Sequence, residues 1–154
     1  MRITKREHLA KVAPFHGEKI MIVDDNEMNL EVMKFILGEF GLSPEIFVNG
    51  REAIKQSLSA EEFSYRFILM DLNMYGMDGY ETTKQIRKSK RKDSSQIPIF
   101  AFTAGVIGSV RRNALECGIN GYIDKPVNYT RLLQMLHETF HRQEIELEEM
   151  ESGY

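Results

Sequence analysis

The sequence predicts an α/β fold built on a parallel sheet covered by helices on both sides. Three observations carry that prediction. Short apolar runs of strand length recur five times, and stretches with helical spacing separate them. No two runs are joined by a hairpin signal, so consecutive strands connect through right-handed crossovers, which leave them parallel. The run FILMD over residues 67–71 holds four consecutive apolar residues, the pattern of a strand buried on both faces.

Composition sets the outer bounds. A chain of 154 residues with 42% hydrophobic content can bury one good core and is of single-domain size. Lys and Arg number 20 against 23 Asp and Glu, a formal charge of -3, which gives no support to nucleic-acid binding by the chain as a whole. Its lone cysteine, Cys117, has no partner for an internal disulfide, and no apolar run reaches the ~18 residues of a membrane span. Basic residues near the start lack an apolar stretch behind them, so they do not read as a secretory signal. The expectation is a reducing, cytoplasmic setting with no membrane contact, where the sequon Asn128-Tyr129-Thr130 is idle.

In chain order, residues 1–18 carry Arg2, Lys5, Arg6 and Lys11 with no convincing period, and read as a linker or tether. A strand follows over 19–23. Asn26 can cap a helix to about residue 40, with Met33, Ile36, Leu37 and Phe40 on one face and Gly41 as its stop. Residues 44–48 form a short strand, and 50–59 a helix whose inner stripe is Ala53, Ile54, Ser57 and Leu58. The central strand, 67–71, precedes a loop over 72–77. Asp78 and Glu81 make a capping box for a helix over 79–90, and the polar run 88–95 reads as a solvated exit loop. A strand over 97–102, a helix over 105–116 ended by Gly118, and a strand over 120–123 come next. Asn128 can cap a last helix carrying Leu132, Leu133, Leu136 and Phe140, and the acidic end, 142–154, either prolongs it or frays.

Chemistry gathers at one end of these strands. The first strand runs out at Asp24 and Asp25, the third at Asp71, the fourth at Thr103, and the fifth is followed by Asp124, Lys125 and Pro126. An Asp after a strand can simply cap the next helix. Caps alone do not account for polar chemistry at the same end of four strands, and in an open parallel sheet that end is where ligands bind.

The runs MIVDDN at 21–26 and MDLNM at 70–74 with Met77, Asp78 and Gly79, the pair Thr103 and Ala104, and GYIDKP at 121–126 resemble the receiver domain of two-component response regulators. The similarity is strongest to receivers attached to hybrid sensor histidine kinases, and it covers about residues 19–141. It implies a flavodoxin-like doubly wound sheet of strand order 2-1-3-4-5, an order that alternation alone does not fix. By that resemblance Asp71 is the phosphoacceptor. Asp25 binds Mg2+ directly, Asp24 acts largely through water, and Asn73 offers its backbone carbonyl; Mn2+ can replace Mg2+. Lys125 pairs with Asp71 or with a phosphate oxygen, across a cis bond to Pro126. Thr103 and Tyr122 form the switch.

The residue types fit that chemistry. A carboxylate can attack phosphorus, but three clustered acids repel a dianionic donor unless a cation is present, and oxygen ligands of this kind suit Mg2+. Thr103 offers a small hydroxyl and Ala104 leaves it space, whereas a residue such as Tyr122, read from sequence alone, is more often core than switch. One departure stands out. Receivers commonly have proline after the methionine, and here Tyr75 and Gly76 follow Met74, removing a fixed φ and adding a permissive residue.

Other motifs weigh less. His137-Glu138-Thr139-Phe140-His141 matches the zinc peptidase pattern, but the histidines lie on a half-exposed helix flank with no further histidine downstream as third ligand. Cys117 and the methionines read as packing residues. Two alternatives remain: an interaction module that keeps the fold without the chemistry, and a flavodoxin-like cofactor binder. The acidic run 24–27 disfavours flavin phosphate, and the full set of acids, Thr103 and Lys125 disfavours the inert module. The expected donor is a phosphohistidine-bearing kinase or histidine phosphotransfer protein. Phosphorylation is expected to alter the 105–141 face, where Arg111, Arg112, Asn113, Arg131, Gln134, Glu138 and His141 suit a transient partner or weak homodimer. The flanking lengths are too short for a DNA-binding output domain or a kinase core, and the resemblance together with the linker-like opening stretch favours a fragment of a hybrid kinase over a standalone receiver.

Overall fold

The computed structural model of the chain describes residues 15–104 and 108–153. Its elements alternate as β1 (Lys19–Val23), α1 (Glu27–Glu39), β2 (Ser43–Phe47), α2 (Gly50–Ser59), β3 (Ile68–Asp71), α3 (Gly79–Arg87), β4 (Ile99–Thr103), α4 (Gly108–Cys117), β5 (Gly121–Asp124) and α5 (Tyr129–Glu151). The chain divides into two compact units, one of them Phe15–Pro126; α5 belongs to the other and is described by itself.

All five strands are parallel in one sheet of order β2-β1-β3-β4-β5, the doubly wound arrangement of the flavodoxin-like class. Every residue of β3 and β4 is buried, as the unbroken apolar runs require, while the edge strand β2 is only partly covered. Alternation along the strands sends Met21, Val23, Ile68, Met70 and Ala101 into one core cluster with Ala53, Ile86 and Ala114 from α2, α3 and α4. Ile20, Ile22, Leu69 and Phe100 alternate with these and are equally buried.

Several helix starts are written in the sequence. Asn26, Asn49, Asp78 and Asn128 each accept a hydrogen bond from the backbone N–H three residues on, satisfying a donor left free at the first turn. The Asp78 cap includes the expected Glu81 N–H. Gly41 ends α1 with φ +91°, a conformation that favours glycine.

Where the chain departs from expectation, tertiary contacts account for it. Within α2, Ala53 is buried but Leu58 is 45% exposed, so the inner stripe is narrower than helical spacing suggested. α3 stops at Arg87 rather than near residue 90. The Arg87 guanidinium donates to the Gly118 carbonyl at 2.8 Å and 3.1 Å, the Ser94 carbonyl at 3.0 Å and Asn120 Oδ1 at 2.9 Å. Asn120 in turn accepts from the Ile99 N–H at 2.8 Å. One side chain thus ties the end of α3 to the entrances of β4 and β5, and the chain must turn to reach it. The α4 start near Gly105 lies outside the described residues, as do residues 1–14 of the expected linker. α5 continues through the acidic stretch to Glu151, the longer of the two readings its sequence left open.

Candidate functional site

Sheet register brings the predicted strand-end residues together. Val23 pairs with Met70, so Asp24 and Asp71 emerge side by side, and Asp71 pairs with Phe102 directly before Thr103. Thr103 pairs with Asp124, and its carbonyl accepts the Lys125 N–H at 2.9 Å, which fixes the backbone of Lys125 beside β4. The Lys125–Pro126 peptide bond is cis, as the resemblance implied.

Asp24, Asp25 and Asp71 each present a carboxylate oxygen within 4.8 Å of the others, the one such acidic or histidine group found among the described residues. Asp24 and Asp71 are buried, each with 1% of its surface exposed, and Asp25 stands open at the rim. Lys125 Nζ lies 3.3 Å from Asp71 Oδ1 and 3.8 Å from Asp24 Oδ2, and 5.2 Å over the Phe102 ring. Burial, and then the neighbouring Asp24 carboxylate, push the Asp71 carboxyl up to about 6, against the opposing pull of the Asn73 N–H and the Lys125 ammonium. Asp71 is a poised group: one ammonium does not offset two buried acids.

The surrounding bonds hold this arrangement. Asp24 Oδ1 accepts the Asn26 N–H at 2.9 Å, and its other oxygen accepts from Asn29 Nδ2 at 3.4 Å. Asp71 Oδ1 accepts the Asn73 N–H at 3.1 Å. At Gly79 an added Cβ would fall 2.2 Å from the Asp71 carbonyl oxygen, so α3 starts against the backbone of Asp71 only because glycine stands there.

Sequence reasoning missed part of this. Asn73 was expected to offer a carbonyl, yet its side chain also donates to Thr103 Oγ1 at 3.1 Å, coupling the loop after β3 to the end of β4. Tyr75 donates its backbone N–H to Asp25 Oδ2 at 2.8 Å, a bond that proline at this position would not make, and its ring is 96% exposed beside the rim. The departure from the usual proline is the signal that could have revealed it. Gly76 follows with φ +77°. Tyr122 is not in the cluster: it pairs with Ala101, one row back from Phe102, and its hydroxyl donates to the Arg111 carbonyl of α4 at 2.7 Å. The His137 and His141 pair gains no third ligand among the described residues, and Cys117 is a buried thiol whose pKa burial raises.

The donor set fits a hard divalent cation: three carboxylates converge, two of them buried, with one rim oxygen free to approach solvent. Asp24, Asp25 and Asp71 are the residues able to hold it.

Comparison with known proteins agrees with that geometry. Residues 20–137 match the response regulator receiver domain family. Histidine kinase 3 of Arabidopsis thaliana is 32% identical over 142 positions, covering 80% of this chain and 14% of the kinase. The osmosensing histidine protein kinase SLN1 of Saccharomyces cerevisiae is 36% identical over 123, covering 78% of this chain and 10% of the kinase. The chain therefore spans only a small part of the length of these relatives. Among solved structures, the receiver domain of the sensor histidine kinase PA1611 of Pseudomonas aeruginosa, with a magnesium ion coordinated in its active-site cleft, superposes with a TM-score of 0.70 at 30% identity over 79% of this chain and 96% of that one. The chemotaxis protein CheY4 of Vibrio cholerae gives 0.73 at 26% identity over 80% of this chain and 98% of that one.

Proposed function

The chain belongs to the response regulator receiver domain family, and on that basis we propose that it takes a phosphoryl group from a phosphohistidine onto Asp71 and later loses it to water. The observation that carries this reading is the buried Asp71 carboxylate at the mouth of the sheet, 3.3 Å from Lys125 and clustered with two further acids. In the transfer, a carboxylate oxygen of Asp71 attacks phosphorus and the bond from phosphorus to imidazole nitrogen breaks. The electron pair leaves with the imidazole, and an acyl phosphate forms. Asp24, Asp25 and Asp71, with the Asn73 carbonyl, would hold Mg2+, which would supply the positive charge needed to offset donor and acceptor. Lys125 is free to exchange its carboxylate partner for a phosphoryl oxygen, and the Thr103 hydroxyl can donate to another.

Asn73 Nδ2 donates to Thr103 Oγ1, which leaves the hydroxyl its own proton to donate to a phosphoryl oxygen. Tyr122 is partly buried against the core with its hydroxyl donating to the Arg111 carbonyl, and release of that bond is the second half of the proposed switch. Arg111, Arg112 and Asn113 of α4 are exposed and polar, which suits a transient reader of that change or a weak homodimer. On the donor side, Met28, Val32 and Phe35 form an exposed apolar stripe on α1, beginning three residues after Asp25, which supports a phosphohistidine-bearing kinase or phosphotransfer protein as the partner. No helix among the described residues is long and apolar enough to cross a membrane. Residues 19–141 are the proposed receiver, 1–18 a linker and 142–154 a helical extension, in a parent that is a cytosolic or membrane-attached hybrid kinase.

The test is transfer from a histidine-phosphorylated phosphotransfer protein, followed by loss of label from the donor. With Mg2+ the label moves to this chain, and chelation or Asp71→Asn stops it. Label that moves equally well to the Asn variant rejects the reading.

A further inference from the structure

Each acid of the cluster is steadied by a backbone N–H, and one of the three donors comes from far along the chain. Asp24 accepts from Asn26 at 2.9 Å and Asp71 from Asn73 at 3.1 Å, each two residues along its own loop. Asp25 accepts from Tyr75 at 2.8 Å, 50 residues away on the loop after β3. Among the described residues, this is the one hydrogen bond that the Asp25 carboxylate accepts. Asp24 and Asp71 are held by burial as well, whereas Asp25 is exposed. Of the three carboxylates, Asp25 therefore has the most rotamer freedom to lose when a ligand orders it.

Resting on the reading of Asp24, Asp25 and Asp71 as ligands of a divalent cation, we propose that Tyr75 is a positioning residue of that site, its backbone N–H setting the Asp25 carboxylate for the cation. The bond engages one carboxylate oxygen and leaves the other open. It orders the rim before a cation arrives, so less of the binding free energy goes into fixing Asp25. The tyrosine ring takes no part: it is 96% exposed, and the requirement is for an N–H, which every residue except proline supplies. Gly76 makes the turn possible. Its φ is +77° and an added Cβ would meet no atom within 4 Å, so the glycine answers the dihedral of the turn rather than any packing. The pair Tyr75-Gly76 thus ties the loop that carries Asn73 to the rim acid, a tie that proline at residue 75 would lack.

Calorimetric titration of the unphosphorylated chain with Mg2+ tests it. Tyr75→Pro should weaken binding about tenfold, and Tyr75→Ala, which keeps the N–H, should stay within about twofold of the native chain. Proline also restricts Met74, so a second variant isolates the bond: an ester in place of the Tyr75 amide, introduced as the α-hydroxy acid analogue of tyrosine, removes the N–H and keeps the side chain. The ester chain should match the proline variant. In both, labelling by a small-molecule phosphodonor should fall at limiting Mg2+ and return to the native rate at saturating Mg2+, a split that general damage to the loop would not give. Native Mg2+ affinity in the ester chain, or an equal loss in Tyr75→Ala, overturns the proposal and leaves the cation site standing. A native chain that takes up no Mg2+ overturns the underlying reading together with it.

Discussion

Asp71 titrates close to the pH at which its proposed role as nucleophile needs it ionised. Burial and the Asp24 charge hold its carboxyl at about 6, above the ordinary 3.8. In that window the folded chain binds more protons than the unfolded one, so stability falls as pH rises through it and the full cost persists above. We predict that in metal-free buffer Asp71→Asn is more stable than the native chain near neutral pH by about 1 to 2 kcal/mol, and that the difference vanishes below about pH 4. Urea unfolding across that range measures it; a native chain more stable than the variant at neutral pH would show that Lys125 outweighs Asp24. The acids, Thr103 and Lys125 were legible from sequence because each ends or follows a strand, and register then aligns them. The Asn73 to Thr103 and Tyr75 to Asp25 bonds were not, because they depend on loop dihedrals, such as φ +77° at Gly76, that no periodicity encodes.

At the scale of elements, the site depends on how closely α3 approaches β3. With the Asp71 carbonyl 2.2 Å and Leu72 Cα 2.8 Å from where a Cβ would stand, Gly79→Ala must move backbone rather than a flexible side chain. The expected cost is about 2 kcal/mol or more of stability. Because Asp78 caps the same helix and Leu72 follows Asp71, phosphorylation should fall as well. Chemical denaturation and acceptor activity measured together check this, and an alanine variant equal to the native chain in both would contradict the packing account. Helix starts were readable because asparagine and aspartate caps announce them. Helix ends were less so: the termination of α3 is set by Arg87 reaching Gly118, Ser94 and Asn120, partners up to 33 residues away.

For the molecule as a whole, alternation of short apolar runs with amphipathic stretches was enough to predict a parallel sheet. Strand order was not contained in it, since β3 must add beside β1 rather than β2 to put Asp24 and Asp71 together, and only the resemblance supplied that order. Three acids, one ammonium and one hydroxyl from four strand ends then make a single site. The central proposal built on it is that Asp71 carries the phosphoryl group. The direct measurement is intact-mass spectrometry with peptide mapping after treatment with a small-molecule phosphodonor, with and without Mg2+. The account predicts one phosphoryl group per chain, on Asp71, dependent on Mg2+ and absent in Asp71→Asn. No addition to the native chain, or the same addition to the Asn variant, would contradict it.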